Sequence, residues 1–210
     1  PSLDNLKSLK LLTVAELEQK YEISVQSPPI LVTFHPVTLE YEHTREQISE
    51  LVAALKTFNR PIIFTMPNAD MGGRVLFRVI KNFVAKHSHA KAFISLGQLR
   101  YLSCIQHMSG IIGNSSSGLV EVPTFKKGTV NIGDRQRGRI KASSVIDCEP
   151  TRESISWAIE KLYSQTFQKS LENVVNPYGT GGASEAIVKI LEEISLEDIL
   201  KKEFYDLTFE

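Results

Sequence analysis

Gly113-Asn114-Ser115-Ser116-Ser117-Gly118 sets three consecutive hydroxyls between two glycines, directly after the apolar pair Ile111-Ile112 and ahead of Leu119-Val120-Glu121-Val122. That order suits an anion cradle. Gly113 and Gly118 allow close backbone approach and positive φ, and the amides of Ser115, Ser116 and Ser117 at a helix start would face a phosphate while their hydroxyls add donors. A serine-rich helix cap has the same spacing without any ligand. No Gly-Lys-Ser/Thr follows, and no Gly-x-Gly-x-x-Gly follows the first apolar run, so triphosphate hydrolysis and dinucleotide redox chemistry lose support. Glu121 falls one to two turns into the expected helix, where a carboxylate could accept two hydrogen bonds from a vicinal diol such as that of a ribose; a plain surface glutamate is the alternative. Arg135, followed by Arg137 and Arg139, gathers guanidinium groups suited to a phosphate, or to a solvated basic loop.

His35 stands beside Pro36 at the end of an apolar run, and histidine is the side chain best able to give or take a proton near neutral pH. A single histidine also serves structure alone. Asn68 and Asp70, ahead of Gly72-Gly73, could hydrogen-bond a ligand or shape a turn, the turn being favoured for Asp70. His43, His87, His89 and His107 have no metal-ligand spacing with nearby carboxylates, and Cys104 and Cys148 lack a CxxC partner. No metal and no cofactor are expected, and the two cysteines read as buried free thiols. Nothing resembles Gly-x-Ser-x-Gly, so a serine hydrolase triad is unsupported.

The elements that must position these residues alternate along the chain. Ile30–Phe34, Ile62–Phe64, Ala92–Leu96, Ile111–Ile112, Val130–Ile132 and Val145–Ile146 are short, rich in β-branched residues or Phe, and bounded by turn residues, as strands buried on both faces are. Between them Ile48, Leu51, Val52 and Leu55, and more loosely Leu76, Ile80, Phe83 and Val84, repeat at helical spacing. Thr13 with Glu16, and Thr44 with Gln47, have capping-box spacing and mark helix starts. Such alternation predicts an α/β fold, a doubly wound Rossmann-like parallel sheet, because a parallel return needs a crossover. Ligands bind such sheets at the carboxyl ends of the strands. His35, Asn68, Ser95-Leu96, Asn114 to Ser117 and Asp134-Arg135 follow five expected strands in succession.

Composition bounds the rest. The 210 residues hold 24 Lys+Arg and 24 Asp+Glu, so no net field favours nucleic acid or an anionic membrane, and any bound anion is held locally. No apolar run approaches the roughly 20 residues of a membrane helix, and the chain reads as soluble and cytoplasmic. Residues 1–210 are expected to form a single domain, with 1–10 an irregular leading segment and 195–210 a terminal helix and tail.

Taken together, the blocks Val32-Thr33-Phe34-His35-Pro36-Val37-Thr38, Pro67-Asn68-Ala69-Asp70 with Gly72-Gly73-Arg74, Gly113 to Gly118 with Glu121, Ile132 to Arg139, Asn176-Pro177-Tyr178-Gly179 with Gly181, and Lys202 to Leu207 resemble the hydrolysing UDP-N-acetylglucosamine 2-epimerases of sialic acid synthesis. The resemblance runs over nearly the whole chain, in family order. It implies the C-terminal half of a GT-B-like two-domain architecture, with residues 1–10 an interdomain linker remnant, a missing N-terminal domain that completes the cleft and carries the catalytic carboxylates, and an isolated chain without activity. It also implies a UDP-sugar substrate that yields N-acetylmannosamine and UDP, and it leaves a homo-oligomer of the full-length enzyme open. By the same resemblance His35 assists departure of UDP, Ser115 and Ser116 hold phosphate, Glu121 holds the ribose and Arg135 faces the diphosphate and sugar. Asn68 lies near the nucleotide, and the backbone of Ser95 and Leu96 meets the uracil. The donor-binding domain of a GT-B glycosyltransferase, or a nucleotide-sugar-binding module without chemistry, would use the same phosphate loop and ribose-binding carboxylate.

Overall fold

The computed structural model describes residues 2–22, 27–37, 42–67, 72–197, 201 and 207. Six strands form one wholly parallel sheet: β1 (Ile30–Thr33), β2 (Ile62–Thr65), β3 (Ala90–Phe93), β4 (Gly110–Gly113), β5 (Gly128–Ile132) and β6 (Val145–Cys148), in spatial order β3-β2-β1-β4-β5-β6. The expected Rossmann-like sheet is therefore present. The chain moves outward from β1 to β3, then returns to the far side of β1 to build β4, β5 and β6. The junction between β1 and β4 is thus the topological switch point, where helices leave in opposite directions and a crevice opens at the carboxyl ends.

Alternation along the strands makes two cores. Ile30, Val32, Ile62, Phe64, Ile112, Val130 and Ile132 face helices α3 (Thr44–Leu55), α4 (Gly73–Lys86) and α7 (Arg152–Tyr163), whereas Leu31, Ile63 and Ile111 face α2 (Val14–Tyr21) and α5 (Gly97–His107). Central strands β1, β2 and β4 are buried along their whole length; β3 and β6, at the sheet edges, are only partly so, against the expectation of burial on both faces. On β3 the polar alternation is visible, with exposed Lys91 donating from Nζ to the Glu22 carbonyl at 2.7 Å. This strand also begins and ends earlier than the expected Ala92–Leu96, which leaves Ser95 and Leu96 in the loop ahead of α5.

The Thr13–Glu16 capping box forms as expected. Thr44 does not cap. It lies inside the first turn of α3, which follows His43, and its buried hydroxyl has no hydrogen-bond partner, because tertiary packing of the buried Thr44 and Gln47 overrides the local cap. Cys104 is buried and Cys148 only half-buried; both are free thiols, and burial, opposed only at Cys104 by Arg100, pushes each pKa up to about 12. Such thiols are protonated and unreactive at neutral pH.

The leading segment forms a short helix, α1 (Ser2–Ser8), whose Leu6 packs against the second core, and at the other end α8 (Gln165–Ser170) is followed, beyond a glycine-rich turn, by α9 (Ala183–Glu193). Asp4 joins α1 to α9 by accepting from the backbone N–H groups of Gly182 and Ser184. These hydrogen bonds, with the Ser184 side chain first, hold the Asp4 carboxyl well below the usual carboxylate range. Residues 195–197 are not helical, and most of the expected terminal helix and tail lies outside the described residues.

One position tests the packing at the switch point. Gly113 ends β4 at φ +144, and a Cβ there would stand 1.9 Å from the Thr33 carbonyl oxygen. Gly113→Ala is expected to cost about 3 kcal/mol or more in denaturant unfolding, since both a forbidden backbone region and a backbone clash must be relieved.

Candidate functional site

Asn114, fully buried directly after Gly113, joins three strand ends. Its Oδ1 accepts from the His35 backbone N–H at 2.8 Å, and its Nδ2 donates to the His35 carbonyl at 2.8 Å, so one carboxamide closes both backbone groups of the residue that follows β1. Its own carbonyl accepts from Arg135 Nη1 at 3.0 Å and from Gln136 Nε2 at 2.8 Å, which brings the turn after β5 to the same point. Beneath, Thr33 and Thr65 share a buried hydroxyl hydrogen bond of 2.8 Å across β1 and β2.

A cleft of about 460 Å³ opens above these strand ends, and His35, Ser95, Leu96 and Ser115 all line it. Ser116, Glu121 and Arg135 are not among its lining residues: Ser116 is the N-cap of the helical turn after Ser115, Glu121 is that turn's C-cap, and Arg135 reaches the group through Asn114. The backbone N–H groups of Ser115 and Ser116 donate to no acceptor among the described residues, whereas those from Ser117 onward are taken up by Ser115 Oγ and the turn. Ser115 lines the cleft, so its free amide stands there with the serine hydroxyls and a second free amide one residue on, a set that suits an anion. The helix they open is shorter than expected: α6 (Ser117–Val120) is a single turn, with Glu121 as its C-terminal cap rather than a residue deep inside it. His35 is buried, 8% exposed, and Arg135 half-buried, while Arg137 and Arg139 turn to solvent, so the three arginines do not gather on one anion. Asn68 lies outside the described residues. No group of three or more His, Cys, Asp or Glu suited to a metal ion occurs among those described.

Tyr101 and Gln136 emerge as site residues that pattern reading passed over, and Asn114, there one of several polar residues after a strand, emerges as the one that ties the strand ends together. Tyr101 lines the cleft from α5, and its hydroxyl meets Ser117 Oγ at 2.5 Å. Burial, with the Glu121 carboxylate adding to it, raises the phenol pKa above its ordinary value despite hydrogen bonds from Ser117, Thr33 and Ser115, so the group stays a neutral O–H that fixes the serine loop. Further along, Asn176 Nδ2 donates to the Val120 carbonyl at 2.8 Å and to Thr124 Oγ1 at 2.7 Å, and Tyr178 Oη donates to the Ile140 carbonyl at 3.0 Å. The Asn176-Pro177-Tyr178-Gly179 segment thus braces both the serine loop and the arginine loop.

With this geometry in place, comparison with known proteins decides the family. The model of the UDP-N-acetylglucosamine 2-epimerase family matches residues 1–192. The chain belongs to that family. It is 39% identical over 205 residues, 96% of its length, to the Campylobacter jejuni protein named GDP/UDP-N,N'-diacetylbacillosamine 2-epimerase (hydrolyzing). It is 37% identical over 207 residues to the Escherichia coli polysialic acid biosynthesis protein P7. It covers 53% and 52% of those two proteins, about half the length of each. Among solved structures, the Neisseria meningitidis UDP-GlcNAc 2-epimerase bound to UDP-GlcNAc superposes with a TM-score of 0.73 at 18% identity, over 92% of this chain and 52% of that one. The S. aureus MnaA–UDP co-structure superposes at 0.71 and 16%, over 91% and 51%. At those identities the likeness is one of fold, and the fold shared is that of one half of a GT-B 2-epimerase.

Two substitutions test how this family site is held. Asn114→Ala leaves the buried backbone groups of His35 unsatisfied and is expected to cost about 2–4 kcal/mol in thermal or denaturant unfolding. Tyr101→Phe removes a single hydroxyl and is expected to cost about 1 kcal/mol, with altered amide shifts confined to Ser115–Ser117.

Proposed function

We propose that this chain is the nucleotide-binding half of a hydrolysing UDP-N-acetylglucosamine 2-epimerase, and that its cleft at the switch point binds the UDP of the substrate. The observation that carries the reading is the convergence, on one sheet edge, of a buried histidine after β1, two free amides with serine hydroxyls after β4, and an inward-turned arginine after β5, all tied through Asn114. In this reading Ser115 and Ser116 hold phosphate, Arg135 faces the diphosphate and sugar, Glu121 accepts from the ribose hydroxyls, and the backbone at Ser95-Leu96 meets the uracil, with Asn68 near the nucleotide. The reaction removes the proton at sugar C2 while the C1–O bond breaks and UDP leaves with the bonding pair, giving a C1=C2 glycal. Water then adds its hydroxyl to C1 and a proton returns to C2 on the opposite face, giving N-acetylmannosamine for sialic acid synthesis. His35 donates toward the departing β-phosphate. The base lies in the other half of the enzyme, so the 210-residue chain alone is inactive. Support for a missing half comes from α9, whose Ile187, Val188, Ile190 and Leu191 are 47–66% exposed although apolar, with no residue of the helix buried.

A 2,4-diacetamido sugar is the second reading, favoured by the names of the Campylobacter relative and of a Legionella pneumophila relative, UDP-N,N'-diacetylbacillosamine 2-epimerase (hydrolyzing), 29% identical. Incubating the full-length enzyme separately with each UDP-sugar and no acceptor distinguishes these from a glycosyltransferase, because only an epimerase releases UDP together with a 2-epimerised sugar.

The isolated chain is expected to bind UDP with Kd in the range of ~0.1 to several mM, as for half a cleft. Amide shift changes should centre on His35, Ser115, Ser116, Glu121 and Arg135, and a pattern centred elsewhere overturns the assignment. In the full-length enzyme, His35→Ala is expected to lower kcat by on the order of 10² to 10³, because charge grows on the β-phosphate only as the bond breaks. Glu121→Ala should mainly raise KM, since the ribose contact is equal in ground and transition states. The reverse pattern would exchange the two roles.

A further inference from the structure

At the opposite edge of the sheet, the segments that lead into β1, β2, β4 and β5 enclose a second and larger cavity of about 620 Å³, within the range of small-molecule sites. Arg60, His107, Lys126 and Lys127 contribute to its wall, and Glu172 is the one carboxylate among the described lining residues. In a chain with equal numbers of acidic and basic residues this is a local cationic excess.

Part of that excess has internal partners. Helices α5 and α7 end here with their carbonyl-bearing, negative ends. Lys126 Nζ donates to the Glu172 backbone carbonyl at 2.6 Å. Arg60 lies 4.6 Å over the Tyr163 ring, a contact that orients a guanidinium and leaves its edge free for an oxyanion.

Lys127 is different. It is half-buried, burial depresses its ammonium pKa, and among the described residues no carboxylate acts against that shift. A desolvated cation without an acid is retained at a cost, which a bound anion offsets. Its neighbour Lys126 holds a left-handed backbone at φ 55 as the C-terminal cap of the turn Val122–Phe125, its N–H donating to the Pro123 carbonyl, and the two lysines leave from that turn together. The hydroxyls of the same wall are taken up internally, Ser109 Oγ donating to the Pro29 carbonyl at 3.1 Å and Tyr163 Oη to Ser109 Oγ at 2.5 Å, so the cations carry the recognition.

We propose that this cavity is an oxyanion site, distinct from the cleft at the switch point, that takes a phosphate or carboxylate group carried on a compact polar molecule, with Lys127 and Arg60 as its principal partners. The site uses no residue assigned to UDP, so its fate is independent of the function proposed above.

Amide shift mapping of the 210-residue chain tests it, with pyrophosphate and citrate titrated separately at constant ionic strength. Saturable shifts at Ser109, Lys127, Gly128 and Tyr163 are expected for at least one probe, with Kd between about 0.1 and 10 mM. Saturation by pyrophosphate alone assigns the phosphate class, by citrate alone the carboxylate class. Lys127→Gln is expected to weaken that binding by about tenfold, and Arg60→Gln by about fivefold, as loss of a charge-assisted contact does. Lys127→Gln should also be at least as stable as the parent chain, because it removes the desolvated charge; Arg60→Gln, at an exposed position, keeps the test open if Lys127→Gln fails to fold. Shifts confined to the Ser115 edge, shifts that do not saturate, or binding undiminished in both variants would overturn the site.

Discussion

Everything at the carboxyl edge of this sheet depends on the amide of one buried asparagine. A parallel sheet leaves the backbone of each strand unpaired as it emerges, and at a switch point two such ends lie side by side with their helices departing to opposite faces. Asn114 closes that gap: its side chain satisfies both backbone groups of His35, and its carbonyl collects Arg135 and Gln136. Gly113 makes the closure sterically feasible, since only a residue without Cβ lets β4 end against the Thr33 carbonyl. The histidine, the serine loop and the arginine are consequently placed relative to one another by one residue that need not touch a ligand, which is how a site gains precision from its supporting shell.

The polarity of the sheet then sorts the chemistry. Free amides and hydroxyls after β4 are donors in excess, and the raised pKa of Tyr101 keeps one more donor neutral beside them. At the other edge, where helix carbonyls collect, donors must come from side chains, and they do, in Arg60, Lys126 and Lys127. A chain of zero formal charge thus carries two separate donor-bearing recesses, one built mainly from backbone and hydroxyls and one from cations. The distinction matters in salt: a cradle of amides is bound to geometry, whereas exposed cations such as Arg60 and Lys126 are screened over a Debye length of about 8 Å at physiological ionic strength.

Much of this was legible before the structure. Apolar runs mark all six strands, most cleanly the central β1, β2 and β4, whose burial on both faces leaves no polar alternation, and polar residues follow five of them at the carboxyl edge where the cleft opens. The failures have local causes. On the edge strand β3, Lys91 breaks the apolar run, so the eye moves toward Phe93 and Ile94, and the strand is read two residues late at its start and three at its end. Thr44 fits a capping box by spacing alone, yet tertiary packing draws it into the helix and buries its hydroxyl without a partner. Tyr101 sits on α5 among Leu102, Cys104 and Ile105, where an aromatic reads as core; only the fold shows its hydroxyl emerging at Ser117. Asn114 and Gln136 were visible within their motifs, but a residue that works through its hydrogen bonds to other backbone carries no signature of chemistry.

The periphery argues that the cleft is one wall of a larger site. Its described lining comes from the ends of β1 and β2, the loops that follow the strands and the starts of α5 and α6, all at one edge of the sheet. Helix α9 has no buried residue, and a single carboxylate joins it to α1, whose Leu6 packs against the second core: Asp4 accepts from the amides that open α9, and these bonds, favouring its charged form, hold its pKa low so that the joint persists at any pH where the carboxylate remains ionised. An amphipathic helix with no buried residue cannot owe its order to this core, because isolated helices of its length are marginal in water. The Asp4 joint supplies part of that order from this side. In the two-half enzyme proposed above, the rest would come from a surface that meets Ile187, Val188, Ile190 and Leu191 and faces the open side of the cleft.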